Sequence, residues 1–322
     1  MKILIYGAGV IGSIFAAKLS LSGQDITVLA RGKRLQEIRD AGIVLRSPET
    51  RKEEVVRVKT IESLPPGEKY DYILLAMQRT QVDAVLEHLS QNSTENIVFI
   101  VNTAAGYDEW KNAVGTERLL IGFPSAGGER NDGVVSYFIG RGLVRMFQTT
   151  TFGEISGERT GRVDDLIEIF NLAGIPSVFC SDMDAWQKTH VSLVTCIANA
   201  LYGHDCDNRK LAASWSDVEE MVLGIKEGFI VLRKLGIRPT PRKLIFFRLP
   251  TCVLTAFFKI IMGTKIAEIT MAKHCMVAKT EMIALQGEFD QLIEKSGVKT
   301  PHIDLLRSNL AKPTPGEKAS HK

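Results

Sequence analysis

MKILIYGAGVIGSIFAAKL, Met1–Leu19, decides the fold class. KILIYG is an apolar run of strand length, and GSIFAAKLSLSG carries Ile14, Phe15 and Leu19 at helical spacing before Gly23 stops it. Gly7, Gly9 and Gly12 sit where the strand hands over to the helix. In that context Gly7 permits a tight turn and Gly9 lets the backbone approach a pyrophosphate. Gly12 lets the helix pack close to the strand, so that its first N–H groups and its dipole face the anion. Gly7, Ala8, Gly9, Val10, Ile11 and Gly12 are therefore the expected dinucleotide cradle; the competing reading is a glycine-rich turn without a ligand. The next strand, DITVLAR, ends on Arg31. An acid there would accept from the free ribose 2′-OH of NAD, whereas an arginine complements the 2′-phosphate of NADP. With Lys33 and Arg34 adding charge nearby, the expected cofactor is NADP(H).

Outward from this unit the first half alternates strand and helix. KRLQEIRDAG reads as a helix, GIVLRS and EEVVRVKT as a hairpin excursion, and YDYILLAM as the third parallel strand. TQVDAVLEHLS reads as its helix and NIVFIVNTAAG as the fourth strand; RLLIGFPSAGG, VVSYFIG and LVRMFQTTTFGEI read as further strands. This period predicts a doubly wound parallel sheet of Rossmann type, covered on both faces. RVDDLIEIFNLAG is a helix and GIPSVFC a returning strand; after Asp182 nearly everything has helical period. The expected organisation is an α/β dinucleotide domain over residues 1–180, an all-α domain over 181–311 and a disordered polar tail over 312–322.

At 322 residues the chain suits two domains. A net charge of +3 with no block of like charge gives no reason to expect nucleic acid. The five cysteines, Cys180, Cys196, Cys206, Cys252 and Cys275, have no CxxC or zinc spacing and read as reduced, mostly buried thiols of a cytoplasmic protein. The six histidines are scattered, so no metal is expected; His204, Asp205 and Asp207 read as a solvated loop, and SDVEEM as a helix cap and first turn. The short, glycine-broken N-terminus is not a signal peptide. Leu244–Gly263 is long enough to span a membrane, but Arg248, Pro250 and Lys259 interrupt it; a buried helix pair or a homodimer contact is the better reading.

The chemistry has to come from the second domain. Lys188, Ser192, Thr195 and Asn199 fall on one helical face with Cys196 beside them, while His190 points elsewhere. A lysine in so apolar a helix calls for a cleft or a carboxylate, and Glu281 is an acid similarly embedded; together they would suit general acid catalysis on a carbonyl.

GAGVIGS, ITVLARG, NIVFIVNTAAG, FGEISGERTGR, AGIPSVFCSDMDAWQK and KTEMIALQGEFDQLIEKSGVKTPHIDLL, in that order over nearly the whole chain, resemble ketopantoate reductase (2-dehydropantoate 2-reductase). The resemblance implies a fold like that of 6-phosphogluconate dehydrogenase and hydride transfer from NADPH to the C2 ketone of a 2-oxo acid. It implies that Lys188 donates to the ketone oxygen, that Glu281 engages the lysine and the substrate hydroxyl, and that Asn102 lies near nicotinamide and lysine. Five positions depart from the family pattern. Ser192 and Cys196 replace asparagines four and eight residues after the lysine, and Ile283 replaces an acid. Thr103 replaces a glycine, and Gln78, expected at the cofactor, replaces a lysine and has Arg79 alongside. The expected activity is thus reduction of a small 2-oxo acid, ketopantoate to pantoate first, with Ser192, Cys196 and Asn199 as substrate contacts. A different branched or bulky 2-oxo acid is the first alternative, and a non-catalytic NADP(H)-binding sensor the second.

Overall fold

A computed structural model describes residues 1–47, 50–140 and 149–313. Contacts divide the chain into two compact units: 1–101 with 107–183, and 102–106 with 184–322.

The first unit is built on an eight-stranded sheet. Its strands are β1 (Lys2–Tyr6), β2 (Asp25–Leu29), β5 (Lys59–Ile61), β6 (Tyr72–Leu75), β7 (Ile97–Ile100), β8 (Leu119–Phe123), β11 (Thr150–Glu154) and β12 (Ser177–Phe179). The spatial order is β12-β11-β8-β7-β6-β1-β2-β5, with β5 through β8 parallel and β11 antiparallel to β8. Strand succession therefore reverses direction at β1, and in open α/β sheets the crevice at the carboxyl ends of such strands is where ligands bind. Helices α1 (Val10–Leu21), α2 (Gly32–Ala41) and α3 (Gly161–Leu172) cover the sheet with buried apolar side chains. Phe170 of α3 meets Phe15 of α1 and Phe152 of β11 edge-on, with ring centroids 5.0 and 4.9 Å apart. Such pairs contribute roughly 0.5–1.5 kcal/mol each beyond the area they bury.

A second sheet, in the order β4-β3-β10-β9, joins β3 (Ile43–Arg46), β4 (Glu53–Val56), β9 (Ala126–Asn131) and β10 (Val134–Ile139). The expected hairpin is the antiparallel β3–β4 pair. RLLIGFPSAGG is two strands, β8 and β9, because Pro124 lies between them and has no N–H to donate to a ladder. The helix expected over TQVDAVLEHLS is three pieces, Arg79–Val82, a 3₁₀ turn over Asp83–Val85, and Leu86–Gln91. Val82 and Val85, three residues apart, are both buried, a spacing that a 3₁₀ turn brings to one side. Of LVRMFQTTTFGEI only the end, β11, lies among the described residues; the tail from 314 lies outside them.

The second unit is helical: α4 (Met183–Tyr202), α5 (Trp215–Lys234), α6 (Thr251–Met262) and α7 (Lys279–Ser296), with shorter turns between and after them. Its core gathers Val191, Ile197 and Leu201 of α4, Met221, Val222 and Ile225 of α5, and Met282, Leu285 and Phe289 of α7. Among the described residues no single helix is long and apolar enough to cross a membrane; the Leu244–Gly263 run is a 3₁₀ segment (Arg242–Arg248) and α6, bent by 118°. Val253, Phe257 and Ile260 of α6 are exposed. The segment 102–106 belongs to this unit because Glu288 of α7 holds it.

Candidate active site

In the first unit each glycine of the cradle has its own reason. Gly7 has φ +114°, and a Cβ there would stand 2.4 Å from the Ala76 carbonyl oxygen. At Gly12 a Cβ would come 1.9 Å from the Gly7 carbonyl oxygen, so only glycine lets α1 start this close to the turn. At Gly9 a Cβ would meet nothing within 4 Å. Packing makes no demand at that position, and the open space lies at the N-cap of α1, which has no side-chain cap and no acid in its first turn. An uncapped helix start beside an open backbone is what a pyrophosphate requires, so the residues present fit a dinucleotide.

Behind this loop the protein is closed by polar side chains. Ser13 Oγ donates to the Ala8 carbonyl at 3.2 Å; Arg34 donates to the same carbonyl through Nε at 3.2 Å and to Ser13 Oγ through Nη2 at 2.9 Å. Arg34 is buried and also pairs with Glu37 at 3.1 Å, so it braces the loop from inside rather than adding free charge beside Arg31. Helical phase explains the correction: Arg34, Leu35 and Ile38 form the buried stripe of α2, whereas Lys33 stays exposed. Arg31 is exposed at the N-cap of α2, where its Nε donates to the Glu62 carbonyl at 3.4 Å. Gln78 caps the Arg79–Val82 turn: its side chain accepts from the Gln81 backbone, and its own N–H donates to Gln81 Oε1 at 3.2 Å. Arg79 is tied to Asp83 at 2.9 Å.

In the second unit Lys188 is 14% exposed and donates to Asp184 Oδ2 at 2.5 Å, one helical turn back on α4. Among the described residues Lys188 pairs with Asp184, an acid that (i, i+4) geometry brings from the same helix, where the sequence suggested Glu281. Glu281 lies in the first turn of α7 and is buried.

Asn102 has a buried Oδ1 without a hydrogen-bond partner. Its loop is held by Glu288, whose Oε2 accepts from Thr103 Oγ1 at 2.9 Å, Ala104 N at 2.7 Å and Ala105 N at 3.3 Å. Thr103, one of the departures, thus supplies a hydroxyl that a glycine would lack.

Ser192, Cys196 and Asn199 lie inside the helical packing. Ser192 is fully buried, and its Oγ, without a partner, stands 2.0 Å from where a Cβ on Gly228 would be; Cys196 Sγ lies 3.3 Å from the corresponding point on Gly224. Four residues apart on each helix, these small groups let α4 and α5 approach closely. Burial pushes the Cys196 thiol far up from its usual value, with Glu227 adding to the shift, so it stays a neutral packing group. Asn199 Nδ2 donates to Gln286 Oε1 at 2.9 Å, and Gln286 Nε2 to Asp290 Oδ1 at 2.8 Å, a relay tying α4 to α7. Thr195 donates to the Val191 carbonyl of its own helix. His190 stacks on Trp186 with centroids 5.4 Å apart; burial, with His274 nearby, pushes it down to about 4. The acids beside His204 are otherwise engaged, Asp207 as the cap of Asn208–Ala213 and Asp205 with Lys210. The cap of α5 is Ser214, two residues before SDVEEM, and not the Ser216 of that stretch, which lies in the first turn with Asp217.

Sequence reading missed Asp184 and Glu288. The first was legible as an acid four residues before the lysine; the second joins residues 185 positions apart and left no local signal.

Residues 3–155 match the family model described as ketopantoate reductase PanE/ApbA. Over that stretch, just under half of its length, the chain is similar to the ketopantoate reductase family. A 2-dehydropantoate 2-reductase of Pyrococcus horikoshii is 29% identical over 199 residues, 58% of this chain and 58% of the relative. One of Mesorhizobium japonicum is 30% identical over 208 residues, 58% of this chain and 63% of the relative. The matches thus span less than two thirds of these curated relatives. Among solved structures, the ternary structure of D-mandelate dehydrogenase with NADH and anilino(oxo)acetate superposes with a TM-score of 0.77 at 17% identity over 99% of each chain. A 2-dehydropantoate 2-reductase from Geobacter metallireducens gives 0.76 at 18% identity, over 96% of this chain and 99% of that one. Ketopantoate reductases and this chain share one fold along their length.

Proposed function

We propose that the protein is an NADPH-dependent reductase that converts a 2-oxo acid to a 2-hydroxy acid, with ketopantoate to pantoate as its first-named reaction. The observation that carries the reading is Lys188, a mostly buried amine on α4 held by a carboxylate of the same helix at 2.5 Å. The glycine cradle with Arg31 would hold the dinucleotide, the arginine favouring a 2′-phosphate. When bound, the nicotinamide supplies the hydride that reduces the ketone carbon. Lys188 Nζ gives a proton to the ketone oxygen as its negative charge develops, so that hydride plus proton complete the alcohol. Asp184 orients the amine and, being partly exposed, connects it to water for reprotonation. Asn102 brings an unfilled acceptor, suited to an N–H or O–H of cofactor or substrate.

A second reading, a 2-oxo acid other than ketopantoate, is favoured by one observation: Ser192 and Cys196, in place of the family's two asparagines, are buried against Gly228 and Gly224. Purified protein assayed for loss of reduced nicotinamide absorbance against ketopantoate and other 2-oxo acids tests both. Lys188→Ala is expected to lower turnover by two or more orders of magnitude while leaving NADPH affinity unchanged, as befits a group acting in the transition state. Turnover in Lys188→Ala equal to wild type refutes the role, and NADPH binding without turnover on any oxo acid turns the assignment to a non-catalytic sensor.

A further inference from the structure

Arg130 is a basic residue at the nucleotide cradle for which no role has been assigned. It lies on β9, the edge strand of the second sheet, opposite Val135 of β10. Directly opposed residues of an antiparallel pair share a face, and Val135 is fully buried in the core that includes α1. Arg130 therefore projects from the α1-facing side of this sheet, and its Nη1 reaches the Ala8 carbonyl at 3.4 Å.

That carbonyl is already served by Ser13 Oγ and by Arg34 Nε, each at 3.2 Å. A carbonyl oxygen has two lone pairs, so the third and longest bond is a weak tether that engages one of the five N–H groups of the guanidinium. Arg130 itself is exposed, unlike Arg34 beneath it. The Arg130 charge is close enough to Arg34 to disfavour the charged form of that buried group, and the acid at hand, Glu37, is bonded to Arg34. The strand bearing Arg130 is fixed: its hairpin turns at Asp132 and Gly133, both at positive φ, and the Gly133 carbonyl accepts from Arg34 Nη1 at 3.3 Å. An exposed, loosely tethered guanidinium thus stands on a braced support beside an uncapped helix start and the open space at Gly9.

We propose that Arg130 is a phosphate-binding residue of the dinucleotide site, its guanidinium turning from the Ala8 carbonyl to a cofactor phosphate. The proposal rests on the nucleotide reading above. A charge-assisted hydrogen bond of this kind corresponds to an affinity change of about ten- to a hundredfold.

The test is a titration of wild type, Arg130→Gln and Arg130→Lys with NADPH and with NADH, without any oxo acid, followed by quenching of protein fluorescence. Arg130→Gln is expected to lose about ten- to a hundredfold in NADPH affinity, with Arg130→Lys recovering part of it. Equal losses for NADPH and NADH place the contact on the pyrophosphate; a loss confined to NADPH places it on the 2′-phosphate. Wild-type affinity for both nucleotides in Arg130→Gln overturns the proposal while leaving the nucleotide reading intact, including the case where that variant aggregates because an inward charge guarded the edge strand. If Arg130→Gln fails to fold, wild-type affinity in Arg130→Lys, whose ammonium cannot reproduce the fork, overturns it. A wild-type protein that binds neither nucleotide fails the nucleotide reading itself, and the proposal with it.

Discussion

Replacing Glu288 by alanine should unfasten the loop that carries Asn102. In the native protein one carboxylate oxygen accepts from the Thr103 hydroxyl, the Ala104 N–H and, more loosely, the Ala105 N–H. Thr103 and Ala104 are buried, whereas Ala105 is exposed and can turn to water. Each buried donor left without an acceptor costs about 1–3 kcal/mol, so two of them give roughly 2–6 kcal/mol for Glu288→Ala. Glu288→Gln keeps a carbonyl oxygen of the same reach and loses only the charge, which lowers the cost to roughly 1–2 kcal/mol. Amide hydrogen exchange at Ala104 and Ala105 reads the local opening, and urea denaturation reads the whole. In Glu288→Ala the Ala104 amide should exchange at least about thirtyfold faster, the equivalent of about 2 kcal/mol. Native protection of Ala104 in Glu288→Ala, or a glutamine variant as damaged as the alanine one, would refute the reasoning.

The glycines of the cradle should separate binding from folding: Gly9→Ala leaves stability within about 1 kcal/mol but weakens NADPH binding, whereas Gly12→Ala, driven into the Gly7 carbonyl, lowers the melting temperature markedly. Tyr6→Phe should stabilise the protein by about 1 kcal/mol in urea titrations, because the Tyr6 hydroxyl is buried without a partner and the phenyl ring keeps its packing. Gly228→Ala should cost about 1–3 kcal/mol through its collision with Ser192 Oγ, and adding Ser192→Ala should recover part of that; additive losses in the double mutant would contradict the contact. His190 is held neutral, its value pushed from 6.5 to about 4, so the folded state binds fewer protons than the unfolded one across that interval. Its stability contribution is complete above 6.5 and is lost as pH falls toward 4, and His190→Gln should flatten the acid limb of a stability–pH curve.

The first unit was legible because its signals are local. A strand, three spaced glycines and a helix occupy consecutive residues, and Gly7 and Gly12 are required by atoms a few residues away or on the adjoining strand end. Arg34 shows where such reading stops: its charge suggested a surface cation, but burial follows the phase of α2, which places it with Leu35 and Ile38. In the second unit helical spacing correctly put Lys188, Ser192 and Asn199 along one side of α4. What covers that side is decided by α5 and α7, which arrive from distant sequence. Gly228 and Gln286 therefore settle the surroundings of Ser192 and Asn199, and neither carries a motif that announces it. The phrase FGEISGERTGR, part of the family resemblance, holds a buried clasp: Glu154 accepts from Thr160 and from Arg162 at 2.6–2.7 Å.

The close approach of α4 and α5 also limits which side chains α4 can carry. Asparagine at 192 would need room where Gly228 already leaves none to spare, and asparagine at 196 would press on Gly224. Introducing an amide at either position by a single substitution therefore costs stability. Because α5 has no side chain left to shrink at these two glycines, the helix itself would have to retreat first. Larger side chains at 192 or 196 therefore call for a paired change in the packing of α5, and single substitutions at these two positions are confined to small groups.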